Sequence, residues 1–122
     1  MLNRKNQGRM NALRNKVQLI GNLGRNPETV ELNNGLTLVR FSLATTEVYK
    51  SKSGTTRDTQ WHTVTAWGKT AELAARLLKK GTLVALEGRL VNRTYEDRQG
   101  RTRHVTEVRL NDFMVLRDKA QA

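Results

Sequence analysis

Four of the six aromatic side chains in this sequence stand among basic and hydroxyl-bearing residues: Tyr49, Trp61, Trp67 and Tyr95. An aromatic ring can stack on any nucleobase, and neighbouring lysine and arginine side chains can neutralise phosphates. The combination is therefore typical of a surface that binds single-stranded nucleic acid with little sequence preference. The alternative is that these four rings are core residues, which is the role expected for Phe41 and Phe113.

Residues that could carry out catalysis or hold a metal ion are sparse. The run Gly68-Lys69-Thr70 resembles the end of a phosphate-binding P-loop, but that motif needs a glycine where this sequence has Thr63. His62 has no acidic or nucleophilic partner in a motif and falls on the apolar side of its strand, which indicates a core or interface histidine. The 11 carboxylates are scattered, and there is no cysteine. We predict no catalytic residue, no metal site, no cofactor and no enzymatic activity.

The charge balance points to a polyanionic partner. The chain has 22 basic and 11 acidic residues among 122, a formal net charge of +11. An excess of this size fits either nucleic acid or an anionic membrane surface. No apolar stretch approaches the ~18–20 residues that span a bilayer, so no membrane segment is predicted. Residues 1–9 are basic and polar, which indicates a disordered N-terminal extension or a stretch upstream of a start at Met10.

Beta strands must position the aromatic residues, because the sequence from Asn15 onward alternates apolar and polar positions. Period two places Trp61 and Trp67 on one face of a strand together with Thr63 and Thr65. Strands are predicted at 17–22, 29–32, 36–50, 59–67, 83–92, 102–111 and 113–116.

Two local signals organise these strands. Asn34-Gly35 predicts a hairpin turn, because both residues accept a positive φ. A helix is predicted from an N-cap at Thr70 through Lys80, with Gly81 as the C-cap glycine. With the short runs at 29–32 and 113–116 set aside, the order of three strands, a helix and two strands predicts an all-β fold. The expected form is an OB-fold, a five-stranded Greek-key barrel with one short helix after the third strand.

Several short motifs resemble those of the bacterial single-stranded DNA-binding proteins, over about residues 10–116. They are Gly21-Asn22-Leu23-Gly24, Trp61-His62, Trp67-Gly68-Lys69, Lys80-Gly81 and Glu87-Gly88. The resemblance implies an OB-fold that assembles as a homotetramer, with a dimer as the alternative, and single-stranded DNA wrapped over its outer surface. It also implies base stacking by the four aromatic residues and a subunit interface at His62. The implied phosphate contacts are Lys16, Lys52, Lys69, Lys79, Lys80, Arg93 and Arg103.

The function implied by this resemblance is to coat and protect single strands during replication, recombination and repair, in the bacterial cytoplasm at the nucleoid. Residues 10–117 are expected to form the OB domain and residues 118–122 a short tail. By this resemblance, the family docks replication and repair proteins on an acidic tip that residues 118–122 lack, so docking of that kind is not expected here. Two other functions stay open: a primosome-type OB accessory protein that serves as a protein–protein platform, and an RNA-binding OB module.

Overall fold

A computed structural model describes residues 13–118 of the chain. The predicted extension at residues 1–9 lies outside this range, as does the tail after Asp118. The elements in chain order are β1 (Val17–Leu23), β2 (Glu28–Glu31), β3 (Thr37–Ser51), β4 (Gly54–Trp67), α1 (Gly68–Leu77), β5 (Leu83–Glu96) and β6 (Thr102–Arg117).

Five of the strands close into a barrel. The hydrogen-bonded order is β1-β5-β6-β4-β3-β2, and β1 also pairs with β3, which joins the two ends of the five-stranded part. Strand β2 is a short addition that pairs with β3. Helix α1 follows β4, the third strand of the barrel in chain order. The predicted OB-type barrel with one short helix after its third strand is therefore confirmed.

The barrel interior follows the period-two pattern of the strands. Val39, Phe41 and Leu43 of β3 are buried, while the residues between them point outward or are half-buried. Each large apolar side chain buried in this way contributes roughly 1.5–3 kcal/mol. Helix α1 covers one end of the barrel with Ala71 and Ala74. Phe113 packs against the same core, so the core assignment of Phe41 and Phe113 is confirmed.

The predicted ends of the helix are wrong at both termini. The helix begins at Gly68, directly after β4, and its N-cap residue is Trp67, which makes no side-chain capping bond. Gly68 has a φ of 64°, a conformation that glycine adopts without strain. The chain can therefore turn from β4 into the helix at Gly68 itself, and no loop capped by Thr70 is needed. The helix ends at Leu77, so the predicted C-cap Gly81 lies in a turn beyond it. In that turn Thr82 N–H donates to the Lys79 carbonyl at 3.0 Å.

The strands run further than the sequence pattern predicts. Residues 102–117 form one strand rather than two, and β4 begins at Gly54, five positions before the predicted start. The added residues lengthen the β3–β4 and β5–β6 hairpins beyond the core. Polar residues there form the backbone hydrogen bonds of the sheet, but they do not show the alternation of apolar and polar residues from which a strand is predicted. The hairpin turn at Asn34-Gly35 is present, although only Gly35 has a positive φ, of 80°. The Asn34 side-chain oxygen instead accepts a hydrogen bond from Leu36 N–H at 3.1 Å.

No helix within residues 13–118 is long and apolar enough to cross a membrane.

Candidate nucleic-acid interface

The face of β4 that carries the two tryptophans is open at one end and covered at the other. Trp61 is 63% exposed, whereas Thr65 is only 2% exposed. The reason is the parallel pairing of β4 with β6, in which Thr65 lies opposite Arg109. Trp67, at the covered end, is half-buried. The predicted platform of four residues is therefore an open surface mainly around Trp61 and Thr63.

Three adjoining hollows extend this open surface across the barrel. The first is lined by Gly24, Arg25, Ser42 and Trp61. The second shares Arg25 and Ser42 with the first and adds Arg40 and Thr63, together with Asn26, Glu28 and Phe41. The third shares Arg40 and Thr63 with the second and adds Arg93, Tyr95, Val105 and Glu107. Because neighbouring hollows share residues, they form one continuous surface from Trp61 to Tyr95, which we call the groove.

Trp61 is set at one end of the groove by a close backbone contact. A Cβ atom placed on Gly24 would lie 2.5 Å from Cζ3 and 2.8 Å from Cη2 of the Trp61 indole. The ring therefore rests against the glycine at the end of β1, and Gly24 N–H donates to the Ser42 carbonyl at 3.1 Å. This contact holds an exposed aromatic ring in place with its remaining surface free to stack.

Tyr95 stands at the other end of the groove, on the β5–β6 hairpin. Its ring is 48% exposed, and the Arg93 guanidinium carbon lies 5.8 Å from the ring centroid. Arg93 in turn donates from Nε to Oε1 of Glu107 at 2.6 Å. An aromatic ring, a cation and a carboxylate therefore follow one another along this part of the groove.

The other two predicted stacking residues lie outside the groove. Tyr49 is 51% exposed on the outer part of the β3–β4 hairpin. Its hydroxyl donates to the Glu47 carboxylate, and this hydrogen bond raises the pKa of Tyr49 above its ordinary value. Trp67 has the Arg109 guanidinium over its ring, 5.4 Å from the centroid. Trp67 Nε1 is buried without a hydrogen-bond partner among residues 13–118.

The seven predicted phosphate-binding cations are spread over the molecule, and only Arg93 lines the groove. Lys52 lies in the β3–β4 turn, Lys69 in α1, and Lys79 and Lys80 after the end of α1. Three of the seven are ion-paired. These pairs are Lys16 with Glu87 at 3.4 Å, Arg93 with Glu107 at 2.6 Å, and Arg103 with Asp97 at 2.9 Å.

Arg25, Arg40 and Glu107 line the groove and were not singled out by the sequence pattern. Arg40 alternates with the buried Val39 and Phe41, so its outward direction could have been predicted from period two. Arg25 and Glu107 carry no comparable signal, because their positions depend on how distant strands meet.

His62 is half-buried on β4, where its Nε2 lies 2.9 Å from the Thr45 hydroxyl. It faces the side of β4 that carries the buried Val64. Its assignment to a subunit interface stays a prediction. Within residues 13–118 no group of three or more His, Asp or Glu side chains is placed to hold a metal ion.

A five-stranded barrel with an aromatic and basic groove on its outer surface is typical of the class of oligonucleotide-binding folds. Residues 14–116 match the model of the single-strand binding protein family, and the chain belongs to this family. The family resemblance drawn from the motifs is therefore confirmed.

Relatives of known name include single-stranded DNA-binding protein 1 of Chlorobaculum tepidum, 43% identical over 104 residues, and the single-stranded DNA-binding protein of Neisseria meningitidis serogroup A, 42% identical over 103. Each match covers 84% of this chain, but only 64% and 59% of the respective relative, so the chain spans about three fifths of their length. A solved structure of a Plasmodium falciparum SSB complex with single-stranded DNA superimposes with a TM-score of 0.76 at 29% identity. That match covers 84% of this chain and 95% of the other.

Proposed function

We propose that this protein binds single-stranded DNA without sequence preference and protects it from reannealing and nucleases during replication, recombination and repair. The observation that carries the proposal is the continuous groove between Trp61 and Tyr95, with Arg25 and Arg40 along it. The names of the bacterial relatives and of the superimposed complex support the same ligand.

The groove has the two components that single-strand binding requires. Bases stack on the exposed faces of Trp61 and Tyr95, and each stacked base is worth roughly 1–3 kcal/mol in systems of this kind. Arg25 and Arg40 contact phosphates and displace the counterions condensed on the strand, which makes the affinity fall with salt. Both components act by binding alone, so we propose stoichiometric coating of the strand rather than turnover.

The test is a titration of the protein with oligo-dT, followed by tryptophan fluorescence over a series of salt concentrations. We expect saturable quenching, and a log–log salt dependence with a slope of about −0.7 for each phosphate neutralised on a single strand. Oligo-dA and oligo-dC should compete with affinities of similar order, and duplex DNA should compete poorly. Preferential binding of oligo-U over oligo-dT would favour the RNA-binding alternative and contradict the proposal.

We also propose that the protein self-associates, as the resemblance implies, into a homotetramer. Ile20, Ala85 and Met114 lie in one row across β1, β5 and β6, and Ile20 and Met114 are 56% and 65% exposed. Leu116, on the same face of β6, is 45% exposed. An apolar row of this kind on a sheet face is what a second copy of the chain would cover. A native mass equal to two chains would instead favour the dimer and the accessory-protein alternative.

Two further expectations follow from the proposed ligand and the bacterial relatives. The site of action would be the cytoplasm, at the nucleoid, where single strands are exposed. Replication and repair proteins are candidate partners, and a pull-down on oligo-dT-bound protein identifies which of them associate. The division into an OB domain at 10–117 with flanking segments at 1–9 and 118–122 stays a prediction.

A further inference from the structure

Glu107 places a buried carboxylate in a groove proposed to bind a polyanion. The side chain is 4% exposed and lines the groove beside Arg40, Thr63 and Tyr95. The other carboxylate along the groove, Glu28, is exposed at the edge strand β2. A buried carboxylate is costly unless it is paired and hydrogen-bonded. Its presence beside a phosphate-binding surface therefore needs a physical reason.

The reason lies in its bond to Arg93. Nε of Arg93 donates to Oε1 of Glu107 at 2.6 Å, while the guanidinium lies 5.8 Å from the centroid of Tyr95. A guanidinium has five N–H donors, and the bond from Nε leaves the four on Nη1 and Nη2 available to other acceptors. The Arg93 side chain is 43% exposed, whereas that of Glu107 is buried. The carboxylate therefore binds the arginine on its buried side and leaves its outer side open to solvent.

We propose that Glu107 is a positioning residue for DNA binding, which holds the Arg93 guanidinium against the Tyr95 ring. Its carboxylate also cancels the positive charge of Arg93. This end of the groove therefore offers hydrogen-bond donors to the DNA but no net positive charge. The inference rests on the proposed function. It divides the groove into two parts. Arg25 and Arg40 neutralise phosphates and release counterions, whereas the Arg93–Glu107 pair orients the strand beside Tyr95 with little counterion release.

Glu107→Gln tests this directly, because glutamine keeps the shape and a carbonyl oxygen that accepts from Arg93 while removing the negative charge. Arg93 then acts as a full cation, and the salt slope for oligo-dT steepens by about 0.7, equivalent to one more phosphate. Between 50 and 200 mM salt, the variant should lose about 2.6-fold more affinity than the wild type does. Glu72→Gln is the matched control, since it makes the same charge change on α1, outside the groove. Its slope should equal that of the wild type.

The double variant Arg93→Gln/Glu107→Gln shows whether the effect passes through Arg93. It has the same net charge at this site as the wild-type pair, so we expect the wild-type slope. Thermal unfolding of each variant verifies that the barrel is folded. If Glu107→Gln folds poorly, the salt slope of the double variant is compared with that of the wild type, and this comparison alone tests the proposal. A slope about 0.7 flatter in the double variant would mean that Arg93 already acts as a full cation.

The outcomes separate the inference from the function beneath it. An unchanged slope in Glu107→Gln, or a slope that stays steep in the double variant, overturns the role of Glu107 while salt-dependent binding by the wild type stands. Absence of salt-dependent binding of oligo-dT by the wild type overturns the proposed function itself. A purely structural role for Glu107 would change the melting temperature and leave the slope where it was.

Discussion

Trp61 and Trp67 lie on one face of one strand, yet their surroundings differ. Trp61 is exposed at the end of the groove, whereas Trp67 is half-buried beneath Arg109. A ring that already carries a guanidinium on one face offers less surface to a base. The two residues should therefore contribute unequally to binding.

Replacing Trp61 by alanine should weaken oligo-dT binding by roughly 1–3 kcal/mol, with the salt slope unchanged, because a stacking surface is lost and no cation is removed. Trp67→Ala is the control, and it should lose less affinity and more thermal stability. Titrations at several salt concentrations measure both quantities. An equal loss of affinity in the two variants would mean that the strand contacts Trp67 at the start of α1 as closely as it contacts Trp61, and would contradict the unequal contribution expected here.

Gly24 has no side chain, and its backbone lies against Trp61, the proposed stacking residue. In Gly24→Ala the new Cβ would meet the Trp61 ring at 2.5 Å, so the ring must move. We expect weaker oligo-dT binding and a shifted tryptophan emission, with the barrel still folded. The matched measurement is a double-mutant cycle with Trp61→Ala, in which adding Gly24→Ala should have little further effect. Full additivity of the two losses would show that Gly24 acts independently of Trp61.

At the scale of elements, the β5–β6 hairpin is closed by a charged turn. The Asp97 carboxylate accepts hydrogen bonds from the backbone N–H groups of Gln99 and Arg101 and from the Arg103 side chain. The bond from Arg101, followed by that from Arg103, holds the pKa of Asp97 below its ordinary value. A carboxylate with a lowered pKa in the folded state stabilises that state above its unfolded pKa, and this contribution is lost as the pH falls through the folded value.

We therefore expect the amide protons of Gln99 and Arg101 to lose protection when the pH falls below about 3.9, the ordinary aspartate pKa. Hydrogen exchange followed by NMR measures this. In Asp97→Asn, whose side-chain oxygen accepts hydrogen bonds at any pH, the dependence should be absent from this turn. The same loss of protection in the asparagine variant would assign the effect to a different group.

The elements also show why sequence reasoning found part of the candidate site and not the rest. Trp61 and Tyr95 were identified by their chemistry, and the barrel by alternation and turn signals. Exposure along β4 was not predictable, because Thr65 shares a face with Trp61 but is covered by β6, more than forty residues later in the chain. Arg25 and Glu107 were missed for the same reason, because their places in the groove depend on how distant strands meet. The lysines that were assigned to phosphate binding lie outside the groove.

At the scale of the whole molecule, the row formed by Ile20, Ala85 and Met114 lies on the β1–β5–β6 sheet, whereas the groove is lined mainly from β3, β4 and the β5–β6 hairpin. Met114→Lys should lower the native mass in sedimentation velocity at micromolar concentration, because a buried ammonium without a partner is costly. Leu73→Lys, on the exposed side of α1, is the control and should leave the mass unchanged. An unchanged mass in Met114→Lys would remove this face from the proposed interface.

The barrel has a parallel seam between β4 and β6 that consists of two register pairs, Val64 with Val108 and Thr65 with Arg109. This seam joins segments far apart in sequence, so its closure carries a large loop entropy and little pairing to offset it. The groove crosses the seam, since Thr63 lies on one side and Val105 and Glu107 on the other. Single-stranded DNA bound there would contact both β4 and β6. The closed barrel would then gain stability by RT ln(1 + [L]/Kd), where [L] is the concentration of free DNA. Local opening of the barrel and release of its ligand would then be a single coupled event.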